Sequence, residues 1–274
     1  MKAVSVSPIV EPPRSFRILS GLTRLIPHLP HASGLSNRIV KPAYCRYHRG
    51  RFRVKVWGNI EMIVDPADTI GGNLAFIPQL FDVWERNAIQ EYLPRGGVFV
   101  DIGANIGSYA LWAARQVGPG GRVLAYEAEQ NNFAALVENI ALNGYRQIDA
   151  FQVGVSDKAE TLKLRMSDGN TGGHSFALGA ERPSPVEVEV KCEPLERLVA
   201  DAGHIDFMKL DIEGFEQRVL TQFFDDVPAG SPLRPRFVLT EMLHGDVVEL
   251  SNTIRSAGYG LVKRSGYNAL FARQ

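Results

Sequence analysis

One short stretch combines two glycines with two polar side chains in a pattern that can hold a small ligand. The run Asp101-Ile102-Gly103-Ala104-Asn105-Ile106-Gly107 follows an apolar segment at 98–100 and precedes a helical pattern. A strand that turns sharply into a helix brings its backbone close to a ligand where side chains are absent, a role open to Gly103 and Gly107. Glu127 lies 24 residues beyond Gly103, at the end of the next apolar stretch. A carboxylate there can accept both hydroxyls of a ribose, so the combination points to an adenosine-type ligand. The turn reads Gly-x-Asn-x-Gly-Ser and lacks the glycine that admits a pyrophosphate in a Gly-x-Gly-x-x-Gly nicotinamide site. Asp101, just ahead of the turn, suits a ligand carrying an ammonium and a sulfonium and suits a pyrophosphate badly.

A second set of residues could move a proton. Asp211 and Glu213 follow one apolar segment, and Glu241 and His244 follow another. If both segments are strands of one parallel sheet, all four side chains emerge at its ligand-binding edge. His244 is the natural neutral base near pH 7, against the plainer reading of a loop histidine. The same residues could instead hold Mg or Mn, which would lower the proton affinity of a bound hydroxyl. Their spacing matches no recognised metal motif, so a divalent cation is the less favoured route and no metal ligand is assigned. The stretch 167–186 is rich in Gly, Ser, Asn and Pro. Its Asn170, His174 and Ser175 offer hydrogen bonds, which makes it a candidate acceptor loop, with His174 as a second candidate base.

These residues need a frame. From residue 98 onward, apolar segments near 98–100, 122–126, 148–155, 205–210 and 237–241 alternate with helical patterns near 109–117, 130–142, 214–224 and 246–257. Segments at 160–166 and 187–192 read as extra strands, 195–202 as a helix, and 259–262 with 268–272 as a final hairpin. This rhythm predicts an α/β fold: a doubly wound, mostly parallel seven-stranded sheet with helices on both faces. Ahead of it, 50–64 alternates like a β-hairpin turning at Gly58-Asn59. Gly71-Gly72 reads as a break, and 79–93 carries a helical apolar stripe. Residues 16–28 have partly helical spacing and suit a helix lying on the main domain, with a membrane-surface helix as the alternative. The expected division is 1–68 as an N-terminal accessory segment and 69–274 as the ligand-binding domain.

Thirty Lys and Arg balance thirty Asp and Glu. A zero net charge argues against a nucleic-acid partner, as does the lack of an Asn-Pro-Pro-aromatic motif after the fourth main strand. Cys45 and Cys192 have no metal-site spacing and read as two thiols in a reducing compartment. No apolar run is long enough to span a bilayer, and the start lacks a signal-peptide core, so no stable membrane insertion and a cytoplasmic location are expected.

Four segments together resemble the FkbM family of class I S-adenosylmethionine-dependent methyltransferases. They are VFVDIGANIGSYALWAA at 98–114, VLAYEAEQNNFAALVENIALNG at 123–144, VGVSDKAETLKL at 153–164 and IDFMKLDIEGFEQRVL at 205–220. Asp-Ile-Glu-Gly at 211–214 is the most family-specific. The resemblance covers about 69–274, including the Trp84-Glu85 helix, and leaves 1–50 outside. It implies S-adenosyl-L-methionine as cofactor. Asp101, Gly103, Asn105 and Gly107 would shape the methionine side of the pocket, Glu127 would hold the ribose, and Ser156 and Asp157 would meet adenine. Asp211 would stand beside the methionine end or the reacting centre, and Glu85 joins the donor-binding set. Ala110 departs from the threonine that relatives often carry. The resemblance implies O-methylation of a small-molecule acceptor such as a sugar or natural product. The alternatives are N-methylation of an amine or amide, or a binding protein that kept the pocket without catalysis. A homo-oligomer is left open.

Overall fold

The computed structural model describes residues 9–25, 50–165, 187–242 and 247–274. His174 and His244 lie outside the described residues, as does the whole 167–186 stretch.

The apolar segments form strands β3 (Val98–Ile102), β4 (Arg122–Glu127), β5 (Ile148–Gln152), β9 (Phe207–Leu210), β10 (Phe237–Glu241), β11 (Tyr259–Ser265) and β12 (Asn268–Arg273) of one sheet. Its order is β11-β12-β10-β9-β3-β4-β5. The five strands from β10 to β5 run parallel, and β12 is antiparallel to both of its neighbours. This is the doubly wound, mostly parallel architecture expected from the alternating pattern. The fully buried runs Val98–Ile102 and Phe207–Leu210 place β3 and β9 at the centre. A parallel strand covered on both faces has no polar side to show, hence the unbroken apolar runs. Two apolar clusters pack on the opposite faces of the sheet. Leu111, Ala114 and Leu136 belong to one, and Val219, Leu220 and Phe223 to the other.

Five helices bear on the site: α1 (Arg14–Thr23), α2 (Thr69–Phe76), α3 (Val83–Tyr92), α4 (Ser108–Val117) and α5 (Gln130–Asn143). After β9 come α7 (Glu216–Asp226) and α8 (Val247–Ser256), with the short α6 (Leu195–Leu198) ahead of them. The expected hairpin is present as β1 (Phe52–Lys55) and β2 (Glu61–Val64), antiparallel. It is tied to α5, where Asn139 accepts from the Ile63 amide at 2.7 Å and Asn143 from the Glu61 amide at 3.0 Å.

Two expectations need correction. Gly71-Gly72 does not break the chain but lies inside α2. Asp68 caps that helix by accepting from the Gly71 amide at 3.0 Å. A Cβ on Gly71 would sit 2.1 Å from the Asp65 carbonyl oxygen, so the glycine serves close packing within a helix. The single strand expected at 148–155 divides at Val153. β5 stays in the main sheet, while β6 (Gly154–Ser156) joins β7 (Glu160–Arg165) and β8 (Glu187–Pro194) in a second sheet of order β6-β8-β7. A Cβ on Gly154 would lie 2.6 Å from Cys192 Sγ, so only glycine lets the chain press onto β8 there.

Candidate donor pocket

The sheet reverses its strand order between β3 and β9, and a crevice opens there beyond the carboxyl ends of the strands. Backbone fit comes first. Gly103 has φ +76, and a Cβ on it would lie 1.9 Å from the Asp211 carbonyl oxygen. Gly107 has φ +93, and its Cβ would meet Leu136 Cδ1 at 2.6 Å. The neighbouring chain therefore demands both glycines: Gly103 lets the ends of β3 and β9 touch, and Gly107 lets α4 start against α5. The Gly103 and Ala104 amides both donate to the Tyr126 carbonyl at 3.0 Å. Asn105 takes the left-handed conformation at φ 51, and its side-chain oxygen accepts from the Ile106 amide at 2.8 Å.

Glu127 is locked to this turn. One carboxylate oxygen accepts from the Asn105 amide at 2.7 Å and the other from the Glu129 amide at 2.8 Å. Burial nevertheless pushes its pKa up to about 7, against the pull of those two amides. Each oxygen keeps a further lone pair for a ribose hydroxyl.

The centre of the site is a buried ammonium that the sequence reading did not single out. Lys209, 6% exposed, places Nζ 3.2 Å from Asp211 Oδ2 and 3.8 Å from Asp101 Oδ1. It also donates to the Gly103 carbonyl at 3.3 Å and lies 4.8 Å from the Tyr109 ring centroid. Burial works against its charge, but Asp211 and Asp101 outweigh that and hold its pKa above the ordinary lysine value. Asp101 is fully buried, and its oxygens make no well-formed hydrogen bond among the described residues. Burial raises its pKa to about 6 even though Lys209 pulls it down. The only sequence signal for Lys209 was a charged residue inside an otherwise apolar strand, two positions before Asp211. Such a lysine needs a partner across the sheet, and the pairing register puts Asp101 opposite it.

Tyr109 joins this cluster to α3. Its hydroxyl donates to Asp82 Oδ2 at 2.7 Å. Asp82 stands in the left-handed conformation at φ 46 ahead of α3, and burial, then Glu85, raises its pKa to about 6. Tyr109→Phe should remove about 1–2 kcal/mol of stability at neutral pH, because a buried acceptor loses its donor. Chemical denaturation reads this directly, and an unchanged midpoint would mean that Asp82 finds water instead.

The resulting cavity holds about 300 Å³. Gly103, Asn105, Glu127, Lys209 and Asp211 wall it, with Ala128, Val153, Val155 and Leu164 as apolar lining near Glu127. Asp82, Glu213 and Glu241 reach the same cavity, as do Thr69, Tyr109 and Asn268. Burial, then Asp211, lifts Glu213 to about 7; its backbone is left-handed at φ 54. Glu216 holds the turn after β9 by accepting from the Ile212 amide at 2.7 Å and the Gly214 amide at 2.9 Å. Carboxylate oxygens of Asp211, Glu216 and Glu241 lie within 4.8 Å of one another, but both oxygens of Glu216 are already committed to those amides.

Other expected site residues stand elsewhere. Gly107 and Asp101 support the wall from behind. Glu85 is buried and reaches the cavity only through Asn268, whose side chain donates to it at 2.8 Å. Ser156 and Asp157 are not brought to the wall, because the chain has left the main sheet at Val153. The Ser156 hydroxyl bonds to Asp157 at 3.1 Å and Glu160 at 2.7 Å, and Asp157 pairs with Arg218 at 2.5 Å.

The methyltransferase FkbM domain matches residues 101–261, more than half of the chain and all of the walls formed by β3, β4, β9 and β10. The chain belongs to the FkbM methyltransferase family. Among curated proteins, methyltransferase sdnD of Sordaria araneosa is 30% identical over 159 residues, which is 47% of this FkbM chain and 61% of that protein. The chain thus spans about three-fifths of that relative's length. Among solved structures, the methyltransferase FkbM of Methylobacillus flagellatus KT is 18% identical, with a TM-score of 0.46 over 73% of this chain and 53% of that one. An S-adenosylmethionine-dependent O-methyltransferase of Thermotoga maritima is 13% identical, with a TM-score of 0.41 over 69% and 64%.

Proposed function

We propose that this FkbM-family protein transfers a methyl group from S-adenosylmethionine to a hydroxyl of a small molecule such as a sugar or natural product. The observation that supports this best is the joining of Glu127, Lys209 and Asp211 around one crevice at the switch point, with Asp101 behind Lys209. The residues present suit the donor. Glu127 accepts the ribose hydroxyls, the apolar wall of Val153, Val155 and Leu164 receives the adenine, and the carboxylates around Lys209 face a cationic amino-acid end. When bound, the donor supplies an activated methyl group on a sulfonium leaving group.

The chain's own work is then positioning and proton handling. Lys209 fixes Asp211 and neutralises part of the acidic wall. Tyr109, on α4, packs against Lys209 and is held by Asp82, ahead of α3. A hydroxyl acceptor must lose a proton as the new bond forms, and a base is most effective when its pKa lies near the working pH. Glu213, at about 7, meets that condition among the described residues. Glu241 and Asp211 stand beside it, and His244 and His174 remain the imidazole candidates. The four carboxylates Asp82, Asp211, Glu213 and Glu241 favour a second reading, N-methylation of an amine drawn in as a cation.

Calorimetry should show binding of S-adenosylmethionine and its demethylated product, with NAD binding at least about 100-fold weaker because no pyrophosphate cradle is present. Tighter NAD binding would overturn the donor assignment. Labelled methyl transfer to a panel of glycosides and amines separates oxygen from nitrogen. In that assay metal-stripped protein should retain full turnover; strict dependence on added Mg or Mn would move the proton-handling role to a cation held by the acidic wall.

A further inference from the structure

The balanced net charge hides a strong asymmetry. Between Glu11 and Glu61 the sequence carries ten Lys and Arg residues and no Asp or Glu, so the remainder is correspondingly acidic. α1 lies within this basic segment. Its inner face is well anchored: Phe16 packs on Phe52 and Phe76, the Ser20 hydroxyl donates to the Ala75 carbonyl at 2.8 Å, and Thr23 donates to the Phe76 carbonyl. Its outer face is apolar. Ile18 is 65% exposed, Leu22 59% and Leu25 77%. At 3.6 residues per turn Ile18 and Leu22 share one narrow arc with Arg14, and Leu25 follows in the turn just after the helix. Arg17 and the C-cap residue Arg24 border that arc on one side, and Arg24 is steadied by donating to the Lys55 carbonyl at 2.6 Å. Arg17 donates to the Pro12 carbonyl at 3.1 Å and pairs with the highly exposed Glu11 at 3.6 Å.

We propose that the outer face of α1 docks the protein on an anionic phospholipid bilayer. An apolar ridge bordered by arginines is the pattern of a helix that lies in the plane of the interface, with its side chains among the acyl chains and its cations at the head groups. Neither half of the pattern alone selects this partner. Nucleic acid would use the arginines but leave Ile18, Leu22 and Leu25 in water. A symmetric contact with a second copy would bury the leucines but bring the arginines of both copies into one interface with Glu11 as the acidic residue beside them. A bilayer of negative surface charge satisfies both. The helix is rigidly held by α2, whose first residues Thr69 and Ile70 wall the donor cavity. Docking would therefore place the methyl-transfer site one helix away from the lipid surface.

The test is co-sedimentation of the full chain with vesicles of phosphatidylcholine alone and of phosphatidylcholine mixed with phosphatidylglycerol, at low and high salt. Binding should appear on the mixed vesicles, weaken at high salt, and be slight on phosphatidylcholine alone. Ile18→Ser with Leu22→Ser should weaken it on the order of tenfold or more. Arg14→Ser with Arg17→Ser should weaken it roughly fivefold per arginine at low salt. Calorimetric binding of S-adenosylhomocysteine serves as the folding control and should be unchanged in both variants. The proposal is overturned if the wild-type chain ignores anionic vesicles, if it binds both vesicle types equally, or if the Ile18/Leu22 variant binds as well as wild type. A lipid-free dimer that Leu22→Ser dissociates, without loss of vesicle binding, would assign the face to a second copy instead.

Discussion

Glu127→Gln should weaken binding of S-adenosylmethionine on the order of 100-fold at pH 8 while leaving the protein folded. The substitution keeps the shape of the side chain and one accepting oxygen, but it removes the charge that strengthens two hydroxyl contacts, each worth about 1.5–3 kcal/mol when the acceptor is ionised. The pH dependence gives a sharper signature. In the free protein burial holds Glu127 at about 7, so near neutrality about half of the molecules carry it protonated. Ribose hydroxyls donate to the ionised form, so binding draws that proton off. Wild-type affinity should rise as pH climbs from about 6 to about 8 and then level, with a buffer-dependent heat that reports proton release. Asp101 and Asp82 at about 6 and Glu213 at about 7 add to the same slope, because a cationic ligand favours their ionised forms too. Glu127→Gln removes one proton from that release. Folding runs in the opposite sense. The native carboxyl keeps a proton that the unfolded chain gives up near the ordinary value of 4.5, so this residue's contribution to stability falls between about pH 4.5 and 7. Wild-type affinity that is flat with pH, or a Glu127→Gln variant of unchanged affinity, would remove Glu127 from the ribose contact.

The sheet was legible in the sequence because its strands are buried on both faces and read as unbroken apolar runs between helical patterns. Strand ends that carry carboxylates at the crevice, such as Glu127 and Asp211, were legible for the same reason: a charge at the end of an apolar run tends to face the crevice. What stayed hidden depends on contacts across the fold. Gly71-Gly72 has the composition of a break, but it sits in a helix capped by Asp68, and the Asp65 carbonyl lying against Gly71 is what demands glycine there. After Val153 the chain pairs with β8, where Gly154 lies against Cys192, nearly forty residues further on, and this takes Ser156 and Asp157 away from the cavity. Lys209 was passed over because one cation inside an apolar strand gives no periodic signal; its meaning comes from the pairing of β3 with β9. The Asp82 brace was likewise invisible, since a left-handed aspartate before a helix leaves no mark in a hydrophobic pattern.

Lys209→Met should be the most damaging single change to stability among these residues, about 3–5 kcal/mol at pH 8. Methionine fills nearly the same length, so the loss comes chiefly from charge. Among the described residues Lys209 is the only cation within ion-pair reach of Asp101. Without it a fully buried carboxylate has no counter-ion and no well-formed hydrogen bond, and breaking a buried pair from one side is costed in that range. Asp101 has one escape, which is to stay protonated. Its native pKa is already raised to about 6, above the ordinary 3.8, and loss of Lys209 raises it further. An acid with a raised native pKa destabilises the fold as pH climbs past the unfolded value, because ionisation is easy only in the unfolded chain. The penalty of Lys209→Met should therefore be largest at pH 8 and shrink toward about pH 5.5, where the carboxyl is neutral in the variant. Urea denaturation at the two pH values reads the difference. Adding Asp101→Asn to Lys209→Met should restore much of the lost stability at pH 8, since a neutral amide needs no counter-ion. The Asp101→Asn single variant completes the double-mutant cycle and isolates the coupling between the two residues. Equal destabilisation at both pH values, with no recovery in the double variant, would show that Lys209 acts through packing against Tyr109 and not as the partner of Asp101.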